Sequence, residues 1–190
     1  MRRLLLVGAL FATVAAAPAD PDWPCVQRLV PTLTAATLWS GPAPQRDWHT
    51  DPAIAALTEQ VASRREKVDD AVAQLERFVA TKPGAEARAE VFAGLVERSN
   101  IERGQAIDRL KGVSRRLRAL ADATGRVTTE LNALPPDAPA AQRDEVANRR
   151  ALMIREYEEI LRTLRYACEI PVDFEARLGC FGQVLQPGRD

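Results

Sequence analysis

The chain has 190 residues, 26 of them basic and 26 acidic, with 46% hydrophobic but only 5% aromatic side chains. Taking Arg2 and Arg3 of the leader out of the basic set leaves 24 against 26 acidic, a near-neutral balance that argues against nucleic-acid binding or polybasic membrane attachment. Abundant alanine, arginine, glutamate and leucine with few aromatics is the composition of long helices, and about 170 residues after leader removal suit one domain.

Residues 1–19 carry the three-part pattern of a cleaved secretory signal: Arg2 and Arg3, an apolar run from Leu4 to Ala17, then the small-residue end Ala17, Pro18, Ala19. The run is about 14 residues, short of the roughly 20 that cross a bilayer, and no later stretch comes closer, so no membrane span is expected. Cys25 follows Asp22, Trp23 and Pro24 rather than small apolar residues, which speaks against a lipid-modified cysteine. The expected location is the periplasm or the exterior.

Residues 20–51 form an irregular arm with all three tryptophans, Trp23, Trp39 and Trp48, and prolines at 21, 24, 31, 42 and 44. A structureless stretch of that length is unusual in a compact domain, so the arm is expected to lie against the helices with tryptophans as anchors. Trp23 is expected to dock beside Cys25, and Trp48 to staple the first helix. Trp39, followed by the turn signal Ser40-Gly41-Pro42, is the tryptophan expected to meet a partner.

The helical domain, residues 52–190, opens on Asp51-Pro52, a capping carboxylate before a proline at the first helical position. A first helix over about 52–81 is predicted from Ile54, Val61, Val68 and Leu75 at seven-residue spacing, with Leu57, Ala71 and Phe78 three positions on and Arg64 as the one interruption. The turn Thr81-Lys82-Pro83-Gly84 leads to a long second helix over about 86–134. Leu110, Leu117 and Leu131 with Val113, Leu120, Val127 and Leu134 form its seam, broken by Thr124 and weakening upstream through Ser99 and Arg103. A proline-rich turn at 135–139 leads to a third helix over about 140–169, with the stripe Met153, Tyr157, Ile160, Leu164 and Ala167, ended by Pro171. A short terminal helix over about 172–185 carries Phe174, Leu178 and Phe181.

The fold class is therefore all-α: an elongated, antiparallel, coiled-coil-like bundle of three helices with one long central helix, the irregular N-terminal arm and a short C-terminal helix. Short turns favour intrachain hairpins, and a homodimer would add to these rather than replace them. At 1.5 Å per residue the central helix is about 73 Å long and its neighbours about 45 Å each, so the two neighbours cannot both run its length. If each folds back from its own turn, Ile54 falls near Gly112 and Cys168 near residue 107, at a crowded junction that would account for Gly104 and Gly112. The same geometry brings the arm's Cys25 to Cys168, which is the first choice of disulfide; the rival pair is Cys168 with Cys180.

No cofactor and no metal centre are expected: three dispersed cysteines and one histidine, His49, lack ordered ligand spacing. No nucleophile-elbow or phosphate-loop motif is present, and the expectation is a non-enzyme. From Arg98 to Arg118 the charge is locally basic, with Arg109, Arg115 and Arg116 as partner-binding candidates. The plainer reading is a solvated face paired with acids such as Glu156, Glu158 and Glu159. The function expected is an exported helical interaction protein, an adaptor or scaffold binding another protein of a bacterial cell-envelope complex. A holdase-type periplasmic chaperone is the alternative, and a small-ligand or enzymatic role around His49 the third.

Overall fold

A computed structural model describes residues 20–186; the expected signal segment lies outside them. Among the described residues the fold is all-helical, with no strand. After two single-turn 3-10 segments in the arm come five helices: α1 (Pro52–Ala62), α2 (Val68–Ala80), α3 (Ala85–Ala133), α4 (Ala140–Ala167) and α5 (Ile170–Leu185).

Helix α1 starts as its sequence dictates. The Asp51 carboxylate accepts from the backbone N–H groups of Ala53 (2.8 Å) and Ile54 (3.3 Å), and Pro52 occupies the first turn. The single helix read over 52–81 is, however, two. The chain leaves the helix at Ser63 and re-enters at Lys67, the place where Arg64 interrupts the apolar seam. Arg177 of α5 holds that break, donating to the carbonyls of Val61 (3.4 Å), Ser63 (3.2 Å) and Glu66 (3.0 Å). One guanidinium thus satisfies acceptors that a continuous helix would have satisfied internally.

The break redirects the packing. Helix α1 lies on α3, but α2 packs on α1 and α5, so the fold-back that would have set Ile54 near Gly112 does not form. Instead Thr58 of α1 reaches Gly94, and Glu59 reaches Arg98 at 3.1 Å. Helix α5, read as a minor terminal element, is a core element: Leu178, Phe181, Val184 and Leu185 join Val91, Phe92, Leu95 and Val96 of α3 in the main apolar cluster. Pro171 does not end the preceding helix but sits in the first turn of α5, where its missing N–H costs no hydrogen bond.

The N-terminal half of α3 is therefore the spine of a helical body built with α1, α2 and α5. Its C-terminal half packs chiefly on α4, with the start of the arm laid beside them. Leu110, Leu117 and Leu164 form a second, smaller cluster with Cys25, flanked by Trp23, Val113, Tyr157 and Ile160. Beyond it the predicted seam positions Leu120, Val127 and Leu131 are only half-buried, because two helices cannot enclose a seam as three do.

The crowding expected at Gly104 and Gly112 is not found. A Cβ on Gly104 would meet nothing within 4 Å, and one on Gly112 only the Arg115 guanidinium at 3.9 Å. The close approaches are at Gly94, where a Cβ would come within 2.7 Å of Thr58 and of the Trp48 ring, and at Gly182, where it would come within 2.7 Å of the Leu38 carbonyl. Those are the points where the arm crosses the body.

Candidate functional site

The elbow between α4 and α5 is where the arm, α3 and the two helices converge. Cys25 is bonded to Cys168 there, with Cα atoms 5.6 Å apart and a separation of 143 positions along the chain. Cys180 is free and exposed on α5. Gln27 also donates from its side-chain amide to the Cys168 carbonyl, and the Trp23 indole N–H donates to the Gln27 carbonyl at 2.7 Å. Such a disulfide fits an oxidising compartment. Among the described residues no helix is long and apolar enough to cross a membrane.

The basic stretch of α3 receives the beginning of the arm. Lys111 pairs with Asp20 at 2.8 Å, Arg115 with Asp22 at 2.7 Å, and Arg118 with Asp22 and, through a donor to its carbonyl, Pro21 at 3.0 Å. The hydrogen bond from Lys111 holds the Asp20 carboxyl below its ordinary range, and those from Arg115 and Arg118 do the same for Asp22. Arg116 pairs with Glu156 of α4 at 2.6 Å. Of the three arginine candidates, Arg115 and Arg116 are thus engaged within the chain, and Arg109 makes no ion pair among the described residues. Part of the acidic complement to this stretch is the chain's own arm, a pairing that neither sequence reading contained.

Arg103 was readable only as a weakness in the seam. It is 2% exposed and links three segments, the arm, α3 and α5: Nε donates to the Pro171 carbonyl at 3.2 Å, Nη1 to the Val30 carbonyl, and Nη2 to Glu175 at 2.8 Å. It therefore fixes the elbow and the arm to α3.

Two grooves flank the elbow and share no lining residue. The first, about 550 Å³, runs beside the disulfide between the arm and the outer faces of α4 and α5. Val26 stands fully exposed on one wall, with Leu161 and Val172, both more than 40% exposed, on the other. The second, about 540 Å³, lies along α3 on the other side of the elbow, with Arg64, Arg98 and Arg109 at its edges.

The other predicted residues sit elsewhere. Trp39 is half-buried, its ring stacked on Phe92 with centroids 5.0 Å apart and its N–H donated to the Pro42 carbonyl at 2.8 Å. Trp48 is buried at the start of α1 and donates to Glu97 at 2.9 Å. His49 is exposed, with Nδ1 2.6 Å from Asp47, whose carboxyl is held low first by the His49 backbone N–H and then by the ring. Among the described residues no three His, Cys, Asp or Glu side chains gather as a metal site would require.

No family model matches the chain, and no curated protein or solved structure does so either.

Proposed function

We propose that this chain is an exported, non-catalytic helical interaction protein, an adaptor or scaffold of a bacterial cell-envelope complex, and that it holds its protein partner in the groove beside the disulfide. The observation that carries the reading is the apolar rim of that groove: Val26, Leu161 and Val172 face water around a concavity large enough to take anchoring side chains. Contiguous exposed apolar surface of this kind marks interaction sites. The wall bearing Val26 is covalently tied to the wall bearing Leu161 and Val172 through Cys25 and Cys168, so little ordering remains to be done when a partner docks. The partner surface that fits is an apolar anchor, aliphatic or aromatic, with a polar surround. The periplasm is the compartment that suits both the expected signal and the disulfide.

The test is in-cell photocrosslinking from position 26, whose side chain makes no core contact, rather than from Trp39, whose ring is occupied by Phe92. The expected result is one discrete protein adduct, lost in the Leu161→Glu, Val172→Glu double variant. A smear of many envelope proteins would favour the holdase reading, and no adduct in a correctly exported chain would refute docking at this groove.

A further inference from the structure

The second groove has a different chemistry. It follows α3 from Arg98 to Val113, about 22 Å or four turns. Its floor is apolar, made by Ala106 and Leu110 of α3 and Ile170 at the start of α5. Three guanidinium groups stand over it, against one lining carboxylate, Glu102.

Each arginine has hydrogen-bonding capacity in hand. Arg64 sits over the Phe174 ring at 5.3 Å, a contact that uses the face of the guanidinium and leaves its N–H edge available. Arg98 Nε lies 3.1 Å from Glu59 but makes no well-directed hydrogen bond, although the atom is buried. Arg109 has no ion pair among the described residues.

We infer that this groove binds a single-chain anionic amphiphile, an alkyl chain with a carboxylate or phosphate head, the chain along the apolar floor and the head at the exposed arginines of the lining, Arg64 and Arg109. The volume lies within the range of small-molecule sites. Arginine's planar fork suits both head groups, and an apolar floor under fixed cations selects against a neutral or cationic amphiphile and against a bare anion alike. This site is independent of the partner groove and stands or falls separately from it.

Calorimetric titration of the full exported chain, disulfide intact, tests the assignment with dodecyl phosphate below its micellar concentration, inorganic phosphate, dodecyl maltoside and dodecyltrimethylammonium. One equivalent of dodecyl phosphate is expected to bind at least about tenfold more tightly than any of the others, the scale set by one or two charge-assisted hydrogen bonds. The Arg64→Gln, Arg109→Gln double variant, whose residues are exposed and whose fold is checked by circular dichroism, is expected to lose about tenfold or more. Equal binding of the neutral amphiphile, an unchanged double variant, or binding to phosphatidylglycerol vesicles without binding to monomeric dodecyl phosphate would each overturn it.

Discussion

Replacing both Cys25 and Cys168 by serine removes a cross-link that spans 143 positions, most of the described residues. On the chain-entropy model, a loop of that length restricts the unfolded ensemble by about 5 kcal/mol at 25 °C. Serine is close in size to cysteine and alters the native packing little, so on this model most of the difference belongs to the unfolded state. Guanidinium unfolding followed by circular dichroism is the assay. With a slope of about 4 kcal/mol per molar for a chain of this size, the midpoint is expected to fall by about 1.2 M in the double variant, and equally in the parent chain under reductant. The rival Cys168–Cys180 bond would close a loop of about 12 residues and contribute only about 3 kcal/mol. It would also make Cys180→Ser as costly as Cys168→Ser and Cys25→Ser nearly silent. A drop of less than about 0.3 M, or a destabilising Cys180→Ser, would refute the reasoning.

Arg103→Met leaves the carbonyls of Pro171 and Val30 without their donor and frees Glu175, so a loss of about 3 kcal/mol is expected in the same denaturation assay. Gly104→Ala is expected to stabilise by about 0.5–1 kcal/mol, because its Cβ would meet open space within a helix. Gly94→Ala is expected to destabilise by about 1–3 kcal/mol, since the new Cβ runs into the Trp48 ring and Thr58; thermal melting of the two variants should shift in opposite directions. Asp20 and Asp22 are held below the ordinary carboxyl value of 3.8, so their contribution is complete above that value and disappears as pH falls through the lower folded values. The Trp23 indole N–H resonance is therefore expected to move only below about pH 4, and at a higher pH in an Arg115→Gln, Arg118→Gln variant; a transition at the same pH in that variant as in the parent chain would contradict the docking of the arm by these pairs.

The legible parts of the fold were those written in local patterns. The cap at Asp51, the proline turns, the long seam of α3 and the stripe of α4 each depend on residues within a few turns of one another, and α3 and α4 form within one or two residues of the predicted bounds. What the pattern could not carry was polar substitution inside the seam. Arg64 looked like a tolerated interruption and is a helix break, because Arg177, more than a hundred residues away, supplies donors to the loop. Ser99 and Arg103 looked like fading periodicity and are buried seam residues, with Arg103 bonded to segments that no local window contains. The glycines misled in the same way: backbone weakness at 104 and 112 suggested crowding, whereas the arm presses on Gly94 and Gly182. The weight of α5 was legible in principle, since Phe174, Leu178, Phe181 and Leu185 recur at three- and four-residue spacing, a denser stripe than a peripheral helix needs.

The bond at the elbow also decides where mechanical load travels. Tension applied upstream of Cys25 reaches Cys168 through two sulfurs, without passing along the rest of the arm, through α1 and α2, or along α3. A tether on the N-terminal side therefore pulls on the root of α4, and the intervening 142 residues form a closed loop that bears no strain. Under reducing conditions the same pull would pass beyond Cys25 and strip the later part of the arm from the helices, the Arg46–Glu90 pair and the Trp39 and Trp48 rings in turn. The oxidised chain is a fixed coupling between Cys25 and the elbow; the reduced chain is an extensible one.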